Sequence, residues 1–334
     1  MLNSEAKLNP KVFDVDVEQK PTRDGYGDGL LEVGEQNSNV VALCADLTES
    51  TRSNKFAEKF KDRFFQMGVA EQNMAAVAAG LGISGKIPFM ASYAAFSPGR
   101  NWEQIRTTIS YNDSNVKIVG AHTGISVGPD GATHQAVEDI ALMRVMANMT
   151  VFVPVDMYEA KKATMAAAKI WGPMYIRLGR EKTPIMTTEE TPFIPGRAEI
   201  FWNSTSTRKK KPQILMIGCG PILYNALLVA KELDKEDISS VVLNCHTIKP
   251  LDEKNILELS KKCDVVVTLE EHQISGGLGG AVAEFLAKNN PKPMEFIGMQ
   301  NVYGESGAPN ELMEKYGMGV KHIKSVVKKL IKRI

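Results

Sequence analysis

The stretch Phe64–Arg100, FFQMGVAEQNMAAVAAGLGISGKIPFMASYAAFSPGR, decides the reading of this chain. It opens on a short apolar run of strand length. It then places one acid, Glu71, at the start of a helix built largely from Ala, Gly and other small residues. A second apolar run, IPFMAS, follows and ends among aromatics, Tyr93 and Phe96. A lone carboxyl at a helix start can simply complement the helix dipole. Here the preceding residues are apolar and the helix after it is nearly free of charge. The carboxyl is therefore expected to be partly buried and to need a partner. A nitrogen heterocycle that exchanges a proton is one such partner.

Outward from that stretch, strand and helix patterns alternate from Val40 to Leu178. NVVALCADL and VKIVGAHTG read as buried strands, as do MTVFVPV and PMYIRLG. Helices are expected over Tyr26–Gln36, Asn54–Phe60, Trp102–Ile109 and Glu159–Ala168. THQAVEDIALMRVM is expected to be a further helix, capped by Thr133. Such alternation predicts a mostly parallel sheet covered on both faces. Ligands then sit outside the carboxyl ends of the strands. ADL, FMASY, GAHTG and RLGRE all fall at expected strand ends and would converge on one cleft edge.

The expected organisation is a polar arm over 1–20, a first α/β domain over 21–187, a linker over 188–211 and a second, smaller α/β domain over 212–334. The seam, TTEETPFIPGRAEIFWNSTSTRKKKP, is rich in Thr, Pro and charge and reads as linker plus a short hairpin. The predicted fold class is α/β, with two three-layer α/β/α domains.

A chain of 334 residues can bury two real cores. With 43% hydrophobic and 24% charged residues and a formal net charge of +1, it is neither disordered nor a nucleic-acid binder by composition. The KKK run lacks the basic neighbours and aromatics of a nucleic-acid site. Cys44, Cys219, Cys245 and Cys263 form no CxxC pair and read as scattered thiols in a reducing compartment. The first residues have no apolar core, and no run has membrane-span length, so the expectation is a soluble, cytoplasmic protein.

Two glycine patterns imitate nucleotide sites. IGCGPILYNA follows a strand, yet Pro221 interrupts the fingerprint and no acid stands at the next strand end. GGLGG lacks the Lys-Ser/Thr of a P-loop and reads as close helix–sheet packing. HTGISVGPDGATHQ is more informative. It sets His122 at a strand end, then Asp130, then His134, among glycines and polar residues. Two histidines and one acid fall short of a metal set, so the loop reads as substrate-binding or proton-transferring.

Taken together, these pieces resemble the transketolase superfamily of thiamine-diphosphate enzymes, over nearly the whole chain from about Arg23. GVAEQNMAAVAAGL resembles the helix carrying the cofactor glutamate. ADLTES, PFMASYAAF, HTGISVGPDGATHQAVEDIALMR, YIRLGRE and YGESGAPNELMEKYG match in order. The resemblance implies a pyrimidine-binding fold followed by a transketolase C-terminal domain. It implies that Glu71 meets the aminopyrimidine ring nitrogen and helps the cofactor lose its thiazolium C2 proton. Phe96 would stack on the pyrimidine with Tyr93 beside it, and Asp46 would lie at the cofactor edge. His122, Asp130 and His134 would line the sugar channel, with His134 nearest the acceptor's phosphate. Arg180 would clamp the sugar phosphate.

The family's Mg2+ motif is a GDG followed further on by Asn. Gly27–Gly29 with Asn54 imitates it, but lies in a helical pattern rather than at a strand end, so no metal ligand is expected in this chain. The resemblance thus implies the C-terminal subunit of a split transketolase. A separate N-terminal subunit would bring the diphosphate and Mg2+ site, in a heterotetramer acting on phosphorylated sugars. Deoxyxylulose-phosphate synthases tend to have Arg at the His122 position, and the beta subunits of 2-oxoacid dehydrogenases usually lack DGATHQ. Those two remain the alternatives within the superfamily. A non-catalytic homologue is the alternative outside it.

Overall fold

Val40–Cys44, Lys117–Ala121 and Met174–Arg177 are buried at every position, which is why each reads as an unbroken run rather than an alternation. In the computed structural model, which describes residues 1–204 and 213–333, they belong to a seven-stranded sheet. Its order is Thr247–Lys249, Thr150–Phe152, Met174–Arg177, Lys117–Ala121, Ile87–Tyr93, Val40–Cys44 and Phe64–Gln66. All pairs are parallel except the antiparallel Thr247–Lys249 at one edge. From Val40–Cys44 the chain goes out to Phe64–Gln66 and then crosses back to Ile87–Tyr93. At such a reversal an open sheet forms a crevice at its carboxyl ends.

A five-stranded sheet follows, ordered Met294–Met299, Val265–Gln273, Ile214–Gly218, Ser240–Asn244 and Glu199–Asn203, with only the last strand antiparallel. Helices Leu223–Lys235, Glu253–Lys262, Leu278–Asn289 and Val320–Ile331 accompany it. The α/β class with parallel sheets flanked by helices is the one expected.

The GDG lies inside helix Thr22–Gln36. A Cβ on Gly25 would fall 1.9 Å from the Met157 carbonyl oxygen, and one on Gly29 would fall 2.9 Å from that of Lys161. These glycines let the helix lie against Met157–Lys169, and Asp28 pairs with Lys55 at 2.5 Å.

Several expectations need correction. Within 133–146 only Asp139–Arg144 is α-helical. Thr133 caps nothing: its hydroxyl is 2.9 Å from His134 Nδ1. The apolar spacing there reflects burial of Ala136, Val137, Ile140 and Met143, not a continuous helix. Trp102–Gln104 is α-helical but Ile105–Ser110 winds as a π-helix. The N-terminal arm is docked, with Ala6 and Val12 fully buried and the Asn3 N–H donating to the Phe201 carbonyl. The expected linker contributes the edge strand Glu199–Asn203. The KKK run and the rest of the 205–212 stretch lie outside the described residues.

The two sheets are joined through Thr247–Lys249, a strand that carries no apolar run in the sequence, and through Glu159. Glu159 Oε1 accepts from Asn244 Nδ2 and Oε2 from the Val155 N–H, each at 2.7 Å. Burial, reinforced by the Asp156 carboxylate, pushes the Glu159 acid up to about 8. The folded state therefore binds this proton more tightly than the unfolded chain does. Its stabilisation is full below the ordinary carboxyl range and is lost as pH rises through about 8. Glu159→Gln is expected to flatten the fall in stability between acidic and alkaline pH, read from denaturant midpoints. A variant that loses stability with pH as steeply as the parent would assign the titration elsewhere.

Candidate active site at the carboxyl edge of the first sheet

Glu71 opens helix Glu71–Ile83 and is 2% exposed. Its two carboxylate oxygens accept from Arg100 Nη1 at 3.1 and 2.9 Å, and its carbonyl accepts from Asn101 Nδ2 at 3.0 Å. The Arg100 guanidinium lies 4.8 Å from the Phe96 ring centroid, and its side chain is half exposed. A buried carboxyl thus faces a guanidinium that water can reach, beside a half-buried aromatic ring.

Four of the expected site residues meet as rings. Tyr93 lies 3.8 Å from His122, 6.0 Å from Phe96 and 6.2 Å from His134, centroid to centroid. The His134 ring approaches Phe96 edge-on at 5.4 Å. The cluster forms because Tyr93 ends one strand and His122 follows the end of its neighbour, where the chain turns with φ +54°. Such a conformation in a non-glycine residue persists only when its surroundings impose it.

His122 is buried, and its Nε2 lies 3.3 Å from Arg23 Nη1. A guanidinium only donates, so Nε2 accepts and the proton of the neutral ring sits on Nδ1. That Nδ1 is buried and has no partner among the described residues. Burial first, then the charges of Arg23 and Arg180 with smaller contributions from His134 and Arg52, press the imidazole down to about 3. His122 is therefore a neutral donor rather than an acid. Arg23 also donates to the Ser50 carbonyl at 2.8 Å, while its buried Nε has no partner among the described residues. Arg180 donates to the Val127 carbonyl at 3.0 Å and pairs with Glu181 at 2.5 Å. This side of the cluster suits an anion.

Asp46 and Asp130 are exposed, and among the described residues neither hydrogen-bonds the ring cluster through its side chain. Asp46 follows its strand at φ +59° and its N–H donates to Gln66 Oε1 at 2.8 Å. Among the described residues no group of three or more His, Cys, Asp or Glu is arranged to hold a metal ion. The pyrimidine end of thiamine diphosphate would fit what is present: an enclosed carboxyl, an aromatic face, and the buried Asn101 Oδ1 and Ser92 Oγ, close by in sequence and without a partner among the described residues. Arg23 and Arg100 were not among the expected site residues. Arg23 sits in the first turn of a helix, and only its reach to His122 reveals it.

With this fold and this carboxyl edge, the chain belongs to the transketolase family. The family's pyrimidine-binding domain matches residues 18–186 and its C-terminal domain matches residues 204–323. The chain is 44% identical over 302 residues to a putative transketolase C-terminal section of Methanocaldococcus jannaschii, covering 90% of this chain and 92% of that protein. It is 37% identical over 311 residues to the 6-deoxy-6-sulfo-D-fructose transketolase subunit of a Clostridium species, covering 93% and 94%. Human transketolase is 34% identical over 312 residues, which are 93% of this chain but 49% of the human protein. A solved split-gene transketolase, an inactive beta4 tetramer, superposes with a TM-score of 0.85 at 42% identity, over 93% of this chain and 98% of that one.

Proposed function

We propose that this chain is the pyrimidine-binding and C-terminal subunit of a two-chain transketolase, moving a two-carbon unit from a ketose phosphate to an aldose phosphate. A separate N-terminal subunit would grip the diphosphate and Mg2+ of thiamine diphosphate. The near end-to-end match to a C-terminal section, against half of the human enzyme, supports a divided protein. The relative that forms an inactive beta4 tetramer supports a chain that self-associates and needs a partner to turn over. The observation that carries the reading is the buried Glu71 carboxyl, paired with an Arg100 guanidinium that lies over the Phe96 ring. The expected divisions at 20 and 187 are retained in this proposal as the limits of its units, while strand Glu199–Asn203 counts with the second unit rather than with a linker ending at 211.

When bound, the cofactor supplies the nucleophilic carbon and the electron sink for the transfer. Glu71 holds a proton at the pyrimidine ring nitrogen, and Phe96 and Tyr93 keep that ring in place. His122 offers its Nδ1–H to a substrate oxygen as a neutral donor. His134 has Nδ1 beside the Thr133 hydroxyl, which fixes its ring and leaves Nε2 for a sugar hydroxyl. Arg23 touches His122 and the charge of Arg180 reaches it, so we place the anionic end of the sugar there rather than at His134. Asp130 meets a further hydroxyl, and Asp46 stays at the cofactor edge. The sulfo-sugar named for the clostridial relative carries an anionic end too, and this cationic side accepts either chemistry.

The test is reconstitution. The purified chain is expected to be inactive alone and to turn over once the N-terminal subunit, thiamine diphosphate and Mg2+ are added. Robust turnover by the lone chain would end the divided-enzyme reading. In the assembly, Arg180→Ala is expected to raise KM for phosphorylated sugars about tenfold, with a smaller rise for unphosphorylated ones. Equal rises for both would remove Arg180 from the anion site.

A further inference from the structure

The loop over 122–134 carries His122, Asp130 and His134, and from the first unit Arg180 holds its middle at the Val127 carbonyl. Gly124, Gly128 and Gly131 have φ of +77°, +76° and +76°, so the backbone has no ladder there and its shape depends on individual bonds. Part of that bonding reaches across to the other unit. Glu271 lies in strand Val265–Gln273 of the second sheet and is buried. Its Oε1 accepts from the Ser126 N–H at 2.6 Å, and a Cβ on Gly124 would fall 2.2 Å from that oxygen. Gln135, also buried, ends the loop. The two N–H groups of its Nε2 lie within reach of three carbonyls: Ile125 at 3.2 Å, Gly128 at 3.3 Å and Glu305 at 2.8 Å. Two of these acceptors are in the loop and the third is in the segment after the last strand of the second sheet. That segment presses on the loop, since a Cβ on Gly131 would fall 2.5 Å from Ser306 Oγ.

We propose that Gln135 and Glu271 are positioning residues through which the C-terminal unit sets the shape of the substrate loop, making that unit part of the sugar site. The inference rests on the function proposed above for His122, Asp130 and His134. Neither side chain needs to touch a sugar. Each acts through the Gly124–Gly128 backbone that lies between the two histidines. A loop misplaced by about 1 Å binds and orients a substrate poorly even when every contacting residue is present.

The experiment uses Glu271→Ala, Glu271→Gln and Gln135→Met. Glu271→Gln keeps an acceptor for Ser126, and Gln135→Met keeps volume while removing the amide donor. In the lone chain, amide hydrogen exchange at Ser126 is expected to quicken at least about tenfold in Glu271→Ala and to stay near the parent rate in Glu271→Gln. Gln135→Met is expected to quicken exchange across 125–131. In the assembled enzyme, Glu271→Ala and Gln135→Met are expected to raise KM for a ketose phosphate about tenfold, while exchange of the cofactor C2 proton stays unchanged. Glu271→Gln restores KM. The proposal is overturned if KM stays within about twofold of the parent while loop exchange quickens. It is equally overturned if Glu271→Gln is as impaired as Glu271→Ala. Should the unaltered assembly transfer no two-carbon unit, the proposed function fails, and the lone-chain exchange of the loop then decides whether the clamp exists. Should Glu271→Ala not fold, Gln135→Met tests the clamp from the other end of the loop by the same two readouts.

Discussion

Glu71→Ala is expected to slow exchange of the thiazolium C2 proton of bound thiamine diphosphate by about 10²-fold or more in the assembled enzyme, the scale of losing a positioned acid–base group. The carboxyl is 2% exposed at its helix start, so water cannot easily replace it. Glu71→Gln keeps the shape but not the proton affinity and is expected to be slowed as well. Arg100 adds a specific feature: its guanidinium takes both oxygens. A ring nitrogen must share or displace that contact. Because the Arg100 side chain is half exposed, it can turn to water at modest cost. Deuterium exchange into bound cofactor, followed by proton NMR, measures the effect. An unaltered rate in Glu71→Ala would take the proton role from this residue.

Arg177→Met is expected to destabilise the chain by about 3–5 kcal/mol, the range for removing one partner of a buried ion pair. Arg177 and Asp139 are both nearly inaccessible and meet through Nε at 2.8 Å and Nη2 at 3.1 Å. Tyr175 adds its hydroxyl to Asp139 at 2.7 Å, and Arg177 Nη2 donates to the Glu271 carbonyl at 2.9 Å. Burial works to raise the Asp139 carboxyl, but the charge and hydrogen bonds of Arg177 overcome it and hold the group below its ordinary value. The stability it contributes is present at neutral pH and is lost as pH falls through that depressed value. Removing the arginine leaves a buried carboxylate with Tyr175 alone. Arg177→Met combined with Asp139→Leu is expected to recover part of the loss, since no charge then remains to be compensated. Denaturant unfolding measures both. A cost below about 1 kcal/mol for Arg177→Met would show that the pair is not desolvated as its burial implies.

The first sheet was legible because parallel strands buried on both faces read as continuous apolar runs, as Val40–Cys44 and Lys117–Ala121 do. Thr247–Lys249 was not, because a short edge strand of mixed composition carries no such run, and Glu199–Asn203, read only as part of a short hairpin, turned out to be an edge strand of the second sheet. The segment 133–146 misled because its apolar residues are spaced for a helix. Gln135 spends its side chain bracing a loop instead, a commitment visible only in three dimensions. Among the expected site residues, Tyr93, Phe96 and His122 were nameable from strand ends and His134 from the polar, glycine-rich loop that follows, and the structure brings their rings together. Arg23 and Arg100 were not, since each matters through a contact distant in sequence. Lys117 shows the same limit inside a strand. Its ammonium is buried, with acceptors at Asn115 Oδ1 and the Ile170 and Gly172 carbonyls, where the sequence offered only a charge in an apolar run.

The pairing of Thr247–Lys249 with Thr150–Phe152 has a practical side for anyone dividing the gene. A fragment ending between the two family-domain matches, near residue 204, would lack those residues and leave the backbone of Thr150–Phe152 bare along one margin. Uncapped margins of that kind recruit further strands, so such a fragment is expected to aggregate, whereas grafts that swap the tail with a relative's should retain residues through Lys249 from the same parent as the first sheet.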